Sequence, residues 1–384
     1  MTSLPNNLLT VLDVGTTNIR VVVFDHKLMV VFSQEQAIET LRPEESWAEQ
    51  DAEAILAVCK KLLAKAEQAT DNQPSSIGIT NQRESVVAWN KTNGQALSPL
   101  ILWSDKRTET YCNELKSKGY EEAIRYKTGL ILTPYSSAPK IHWLLQQKPV
   151  KACADDLAIG TLDSWIIFKL TGKLLTDFTN ASRTMLYNIH TQDWDEELLH
   201  IFKVPRAILA EVRQSRSDFG TYATSTTHMA HHIQAVVGDQ QASMFAAGSR
   251  PGTAKITYGT GIFPMRLIGD AFQLQDGVLT TLAIGPNGQA TYALEGKVEN
   301  AAPRVSKVYG IDKPAFDQLM IQLAHEAAPV IDRIVDPGEV VFVDGGISQN
   351  DDILAEQEKL NNIKVQRLST HNGTALGVAK LLLS

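Results

Sequence analysis

Two stretches of the chain repeat one pattern, and that pattern admits few folds. Thr10 to Asp25 reads TVLDVGTTNIRVVVFD, and Thr253 to Arg266 reads TAKITYGTGIFPMR. Each is an apolar, β-branched strand, a turn built on glycine and threonine, and a second strand. Asp13-Val14-Gly15-Thr16-Thr17 lines up with Thr257-Tyr258-Gly259-Thr260-Gly261, so two related halves are expected. The first turn offers backbone N–H groups, the hydroxyls of Thr16 and Thr17, the amide of Asn18 and the cation of Arg20. Such a set cradles phosphate. Asp13, at the strand end, is placed to hold magnesium through water, because that ion prefers carboxylate and water oxygens. Two hairpins of this kind facing one another across a cleft would clamp ATP.

The bulk properties suit two domains and do not exclude an anionic nucleotide. A chain of 384 residues is long for one core. Its 43% hydrophobic residues can fill two, and nothing in its composition signals disorder. A net charge of −7 argues against nucleic acid as the main partner, which favours a basic face. Cys59, Cys112 and Cys153 are too far apart for a zinc or disulfide pattern. The pair His231-His232 reads as a surface or helix-end feature rather than a ligand set. No leader pattern and no apolar run of membrane-spanning length is present, so a reduced cytoplasm is the expected compartment and no membrane partner is expected.

Along the first half the elements alternate. Met29–Gln36 reads as a third strand, and Asp51–Gln68 as a helix burying Ile55, Leu56, Cys59, Leu62, Leu63 and Ala66 on one face. Ser76–Thr80 reads as a short buried strand that ends at Gln82-Arg83-Glu84. Hairpin, strand, helix, strand opens an actin-like, ribonuclease-H-like α/β domain, in which ligands sit beyond the carboxyl ends of strands. Arg83 and Glu84 fall at such an end. They read either as a surface ion pair or as a clamp for vicinal hydroxyls. Ile101–Arg107 reads as another strand running into charge, with Trp103 as core or as an apolar wall; Tyr135 opens a helix and has a hydroxyl to offer. Asn180–Thr184 reads as a hydrogen-bonded scaffold. Ala235–Gly238 is a strand delivering Asp239 and Gln240 to a helix start, where Asp239 suits a cap or a general base. The turn-rich Gly248–Gly252 marks the expected boundary between domains 1–248 and 249–384.

Together these pieces resemble the FGGY carbohydrate kinases, and most closely the members that act on glycerol. DVGTTNIRVVVFD, GITNQRE, DFTNASRTMLYNIHTQDWD, GDQQASMF, TYGTGIF and YALEG carry the likeness, and Tyr135–Gln147 fits the first signature of that family. The resemblance implies two actin-like domains with a ligand cleft between them, ATP and Mg²⁺ as cofactors, and a small polyol as substrate. It implies that Arg83, Glu84, Tyr135, Asp239 and Gln240 hold the hydroxyls, that Trp103 and Phe263 flank the carbons, and that Asp239 is the catalytic base. It assigns Thr17, Asn18, Arg20, Gly259, Thr260, Gly345, Gly346 and Asn350 to the nucleotide and Asp13 to the metal.

One region departs from the family. After Tyr292–Gly296 the chain reads KVENAAPRVS, with Ala302 where members have glycine, Ser306 where they have glutamine, and Pro303 where a helix usually continues. A long stretch that members carry next has no counterpart, so the second domain is shortened on its adenine side. The expected activity is ATP-dependent phosphorylation of a small polyol, glycerol first. The competing expectations are a non-catalytic polyol-binding regulator and a kinase of another polyol or ketose. A homo-oligomer is among the expected assemblies.

Overall fold

In the computed structural model, described for residues 8–73, 75–224, 229–259, 261–299, 301–370 and 372–384, the chain divides into two compact units. One takes 1–239 with 378–384, and the other takes 240–377. The turn at 248–252 lies inside the second unit, between the helix Asp239–Ala247 and the strand Ala254–Tyr258.

The first unit is built on a six-stranded sheet. Leu8–Val14, Asn18–Phe24 and Val30–Ala37 form an antiparallel meander from the centre to one edge. On the other side Leu8–Val14 pairs in parallel with Ser75–Asn81, which pairs in parallel with Ala230–Gly238. Arg216–Ala223 closes that edge. Parallel strands covered on both faces read as continuous apolar runs, and LLTVLDV and the AVVG end of Ala230–Gly238 do so. The helix Ala52–Ala69 covers the sheet with Ile55, Cys59, Leu62 and Leu63. Its start is fixed by Asp51, whose carboxylate accepts from the N–H groups of Glu53 and Ala54 at 2.9 and 3.1 Å.

The second unit repeats the plan with Leu279–Ile284, Ala290–Glu295, Ile262–Gly269, Ala254–Tyr258, Val340–Asp344 and Lys364–Arg367 in that order across the sheet. Its first hairpin is antiparallel, and Ala254–Tyr258 then pairs in parallel with Val340–Asp344. The helices Lys313–Ile331 and Asp351–Asn361 pack against its core. Pro303 sits third in a short helix, Ala301–Val305, where the absence of its N–H costs nothing.

Three local expectations change. The strand expected over Ile101–Arg107 is two residues long, Leu100–Ile101. The charged run after it folds into a turn because Arg107 is captured by Glu49 and Asp105 at 2.6 and 2.8 Å and lies over Trp47 and Trp143. The helix expected from Tyr135 starts at Ser137. His231 is not a surface residue: it points inward from the strand Ala230–Gly238, and its ring bonds to Glu67 and the Ser75 hydroxyl. No described helix is long and apolar enough to cross a membrane.

Candidate active site

The strand Ser75–Asn81 runs out into Gln82-Arg83-Glu84-Ser85, and all four are buried. A surface ion pair is therefore excluded. The partners also differ from sequence neighbours. Arg183 donates from Nε to Glu84 Oε1 at 2.6 Å, whereas Arg83 Nε lies 4.0 Å from that oxygen. Arg83 instead reaches Asp239 Oδ1 at 3.3 Å. Two arginines and two acids thus alternate, Arg183, Glu84, Arg83, Asp239. Glu84 holds a left-handed backbone, φ 61°, an uncommon conformation for a side chain of its size. Asp239 opens the helix Asp239–Ala247, and its side chain is 31% exposed against 2% for Glu84. It is the acid of the four that reaches solvent.

The loop Asn180–Thr184 is the scaffold that the sequence suggests. Asn81 and Asn180 exchange amide hydrogen bonds at 3.1 and 3.2 Å. Asp177 caps the turn through the N–H groups of Thr179 and Asn180 and accepts the Ser215 hydroxyl. Thr179 Oγ1 accepts from Gly238 N at 2.8 Å, which pins the residue before Asp239.

Trp103 and Tyr135 meet edge to face, ring centroids 5.5 Å apart, and both are partly exposed. The indole Nε1 donates to Thr16 Oγ1 at 2.9 Å, and that hydroxyl donates to Gln82 Oε1 at 3.2 Å. Thr16 therefore ties the hairpin turn to the loop beyond Asn81. Beneath Tyr135, the buried Lys140 donates to the carbonyls of Pro134 and Tyr135 at 3.0 and 2.6 Å. Burial drives its ammonium down to about 7.

In the first hairpin Thr17 is exposed and Asn18 half-buried. The N–H of Gly15 is used within the turn, donating to the carbonyl of Asn18. Arg20 is engaged by Glu35, with Nε at 2.9 Å and Nη2 at 2.5 Å from one carboxylate oxygen. Burial raises the Asp13 carboxyl to about 7, with Arg20 opposing and Asp239 and Glu35 adding. Among the described residues no group of three or more histidine, cysteine or acidic side chains could hold a metal ion. A single carboxylate beside a glycine-threonine turn fits magnesium, which keeps most of its waters, and does not fit a caged ion.

In the second unit Gly259 N bonds Gly261 O at 2.9 Å, and Thr260 lies outside the described residues. Phe263 is buried on the returning strand. Gly345 has φ 89° and approaches Tyr258 so closely that a Cβ would run into its carbonyl, while a Cβ on Gly346 would meet nothing. Asn350 caps the next helix, accepting from Ile353 N at 3.0 Å. Lys255 donates to Gln240 Oε1 at 2.6 Å and to Thr257 Oγ1 at 2.5 Å.

Arg183, Lys140 and Lys255 escape a reading of the sequence. Each is a cation in an apolar or scaffold segment, and each is fully buried. The available signal was charge balance: a buried acid, Glu84, whose neighbouring arginine turns to a second acid requires another cation from elsewhere.

The family model for the N-terminal domain of the FGGY family of carbohydrate kinases matches residues 8–246. A glycerol kinase of Alcanivorax borkumensis is 43% identical over 297 residues, which is 75% of this chain and 60% of that one. A glycerol kinase of Shewanella halifaxensis is 36% identical over 439 positions, 96% of this chain and 89% of the relative. That alignment is longer than the chain itself, so the relative carries insertions that this chain lacks. Among solved structures, Plasmodium falciparum glycerol kinase with ADP superposes with a TM-score of 0.89 at 27% identity, covering 98% of this chain and 89% of that one. A xylulose kinase from Rhodospirillum rubrum, 18% identical, shares the fold with a TM-score of 0.82 over 98% and 89% of the two chains.

Proposed function

The chain belongs to the FGGY family of carbohydrate kinases, and we propose that it transfers the γ-phosphoryl group of ATP to glycerol, giving glycerol 3-phosphate. The observation that carries this reading is the alternating set Arg183, Glu84, Arg83, Asp239, with its outermost carboxylate open to solvent. Phosphoryl transfer asks for positioning and charge more than for covalent help. Asp239 takes the proton of the attacking hydroxyl at its carboxylate, which Arg83 orients. Glu84, turned by Arg183, accepts from the hydroxyls that do not react. Trp103 and Tyr135 give the carbon chain an apolar wall.

Thr17, Asn18 and the turn amides of the first hairpin bind phosphate oxygens. Within the second unit, Gly259, Gly345 and Gly346 keep the backbone positions that the family resemblance gives to the nucleotide. Magnesium, held by Asp13 through water, would supply charge neutralisation on the β- and γ-phosphates. We place the reaction in the cytoplasm, consistent with Cys59, Cys112 and Cys153 all being free.

A coupled assay of ADP release against glycerol, longer polyols and ketoses tests the reading, with glycerol expected to give the highest kcat/KM. Asp239→Asn should lower kcat by about two to four orders of magnitude while weakening glycerol binding far less. Calorimetric binding of glycerol without ADP release would replace the kinase reading with that of a polyol-binding regulator.

A further inference from the structure

The first unit holds a cavity of about 430 Å³ that shares no residue with the candidate active site. A cavity of this size takes a small molecule. Tyr111 and His142 form part of its wall, stacked with ring centroids 4.0 Å apart and planes 5° from parallel. Hydrogen bonds hold both rings in place. Tyr111 donates to the carbonyl of Ile201 at 3.3 Å, and His142 Nδ1 donates to the carbonyl of Phe202 at 2.9 Å. His142 Nε2 then accepts from Gln146 Nε2 at 2.7 Å, which leaves the ring neutral.

Two other lining residues carry donors that lack an acceptor. The Arg107 side chain is 1% exposed and Thr108 is 2% exposed. Asp105 accepts from Arg107 Nε at 2.9 Å and from Nη2 at 2.8 Å, and Glu49 accepts from Nη2 at 2.6 Å. Arg107 Nη1 has no hydrogen-bond partner among the described residues. Neither has Thr108 Oγ1, beside which stands only a weak donor, the Cys112 thiol. Thr108 is the N-cap of the helix Glu109–Ser117, yet its side chain makes no capping bond. Buried polar groups without partners are rare and call for a cause. The charges of the cavity supply one. Glu49 and Asp105 outweigh Arg107 from behind, so the net pull comes from Lys118 and Lys203 against Glu114. Neither lysine has an ion pair among the described residues. Lys203 also holds a left-handed cap, φ 55°, where glycine is usual.

We propose that this cavity binds a small phosphomonoester. Its phosphate oxygens accept from Arg107 Nη1 and Thr108 Oγ1, Lys118 and Lys203 balance its charge, and Glu114 accepts from a hydroxyl of its alcohol part. A carboxylate brings two oxygens and one charge. A phosphomonoester brings three oxygens and about two charges, which suits two donors and two lysines.

Isothermal titration of the whole chain with inorganic phosphate, glycerol 2-phosphate and acetate tests the site. Both phosphates should bind more tightly than acetate, and the ester about three- to tenfold more tightly than inorganic phosphate, because Glu114 then has a hydroxyl to receive. Thr108→Val removes the unpartnered hydroxyl at nearly constant shape. It should melt no lower than the unaltered chain and should raise both phosphate Kd values about three- to tenfold. Lys203→Gly suits the left-handed cap, so it too should melt no lower while both Kd values rise by a similar factor. Glu114→Ala should weaken the ester alone. Phosphate held at the glycine-threonine turn of the first hairpin instead would keep its Kd in Thr108→Val and Lys203→Gly, and that result overturns the proposal. So does an unaltered chain that binds neither phosphate below about 10 mM. A fall in the melting of Thr108→Val, or its failure to fold, would show the hydroxyl to be bonded already and would equally overturn it. ADP release is not read, so these outcomes stand whether or not the kinase reading holds.

Discussion

Arg183→Met separates the Arg183–Glu84 pair while keeping most of the side-chain volume. Both side chains are at most 2% exposed, and the bond between them is 2.6 Å long. Removing one partner of a buried pair leaves an uncompensated charge and costs about 3–5 kcal/mol. For a unit of roughly 150–250 residues each kcal/mol moves the melting temperature by about 2–4 °C. The first unit should therefore melt about 6–20 °C lower, read by calorimetry or near-ultraviolet circular dichroism. Most of the loss is a penalty on the stranded Glu84 carboxylate, so Glu84→Gln in the same chain should recover a large part of it. Glycerol affinity should fall in Arg183→Met, because Glu84 loses the group that turns it. A melting shift below about 2 °C, or a double variant less stable than Arg183→Met, would refute the pairing as the source of the clamp's order.

Asp163, buried at the start of the helix Leu162–Thr171, accepts from Thr176 Oγ1 at 2.6 Å, and burial with the Asp177 carboxylate nearby pushes it up to about 7. The folded chain then keeps a proton that the unfolded chain releases near its ordinary value of about 3.9, so this group's contribution to stability falls as pH rises between about 4 and 7. Asp163→Asn should melt higher than the unaltered chain at pH 8 and equal to it near pH 4; a constant difference across pH would contradict the assignment. Gly345→Ala meets both a left-handed φ and the Tyr258 carbonyl, each worth about 1–3 kcal/mol, and should lower the melting of the second unit and weaken ATP binding; melting within 1 °C of the unaltered chain would exclude the close approach. Among the described residues of Lys297–Ser306 the structure has one bridge, Val298 to Ile262, and the short helix Ala301–Val305. Each base-edge hydrogen bond that such a shortened region forgoes removes about 0.5–1.5 kcal/mol of discrimination. ATP, GTP and inorganic triphosphate should then differ by less than about tenfold in calorimetric Kd, and a strong preference for ATP would show a complete adenine pocket.

Much of this fold was legible because its signals are local. The hairpins announce themselves by β-branched arms around a Gly-Thr turn, and the helix Ala52–Ala69 by the spacing of Ile55, Cys59, Leu62 and Ala66 behind a capping Asp51. The motifs of the candidate site stand out in the sequence, but the pairings among its side chains do not. Arg183 and Glu84 are 99 residues apart, and no local pattern announces their bond. Adjacency pointed to Arg83 as the partner, yet Glu84 takes a left-handed backbone and its Oε1 lies 2.6 Å from Arg183 and 4.0 Å from Arg83. His231-His232 looked like a polar surface pair; period-two alternation in the strand puts His231 inside and His232 outside, which a strand starting earlier than Ala235 would have revealed.

The repeat itself is only half visible in the sequence. Aligning the hairpins sets Asp13 against Thr257, as though the second unit had lost its acid. In the sheets, Asp13 sits in register with Thr80 on the neighbouring parallel strand, and Thr257 sits in register with Asp344. Acid and hydroxyl have exchanged strands, so the second acid is present one strand further along, where an alignment of hairpins does not look. The exchange also separates the two acids chemically. Asp344 is buried, and each of its oxygens already takes a hydroxyl, from Thr257 and from Ser243. Asp13 is partly exposed, and burial has driven its carboxyl up rather than down. A carboxylate with both oxygens occupied serves as a structural tie, and one that ionises reluctantly gains most from a cation. We therefore propose Asp13, and not Asp344, for the metal, whereas Asp344 belongs with Lys255 and the turn it stiffens.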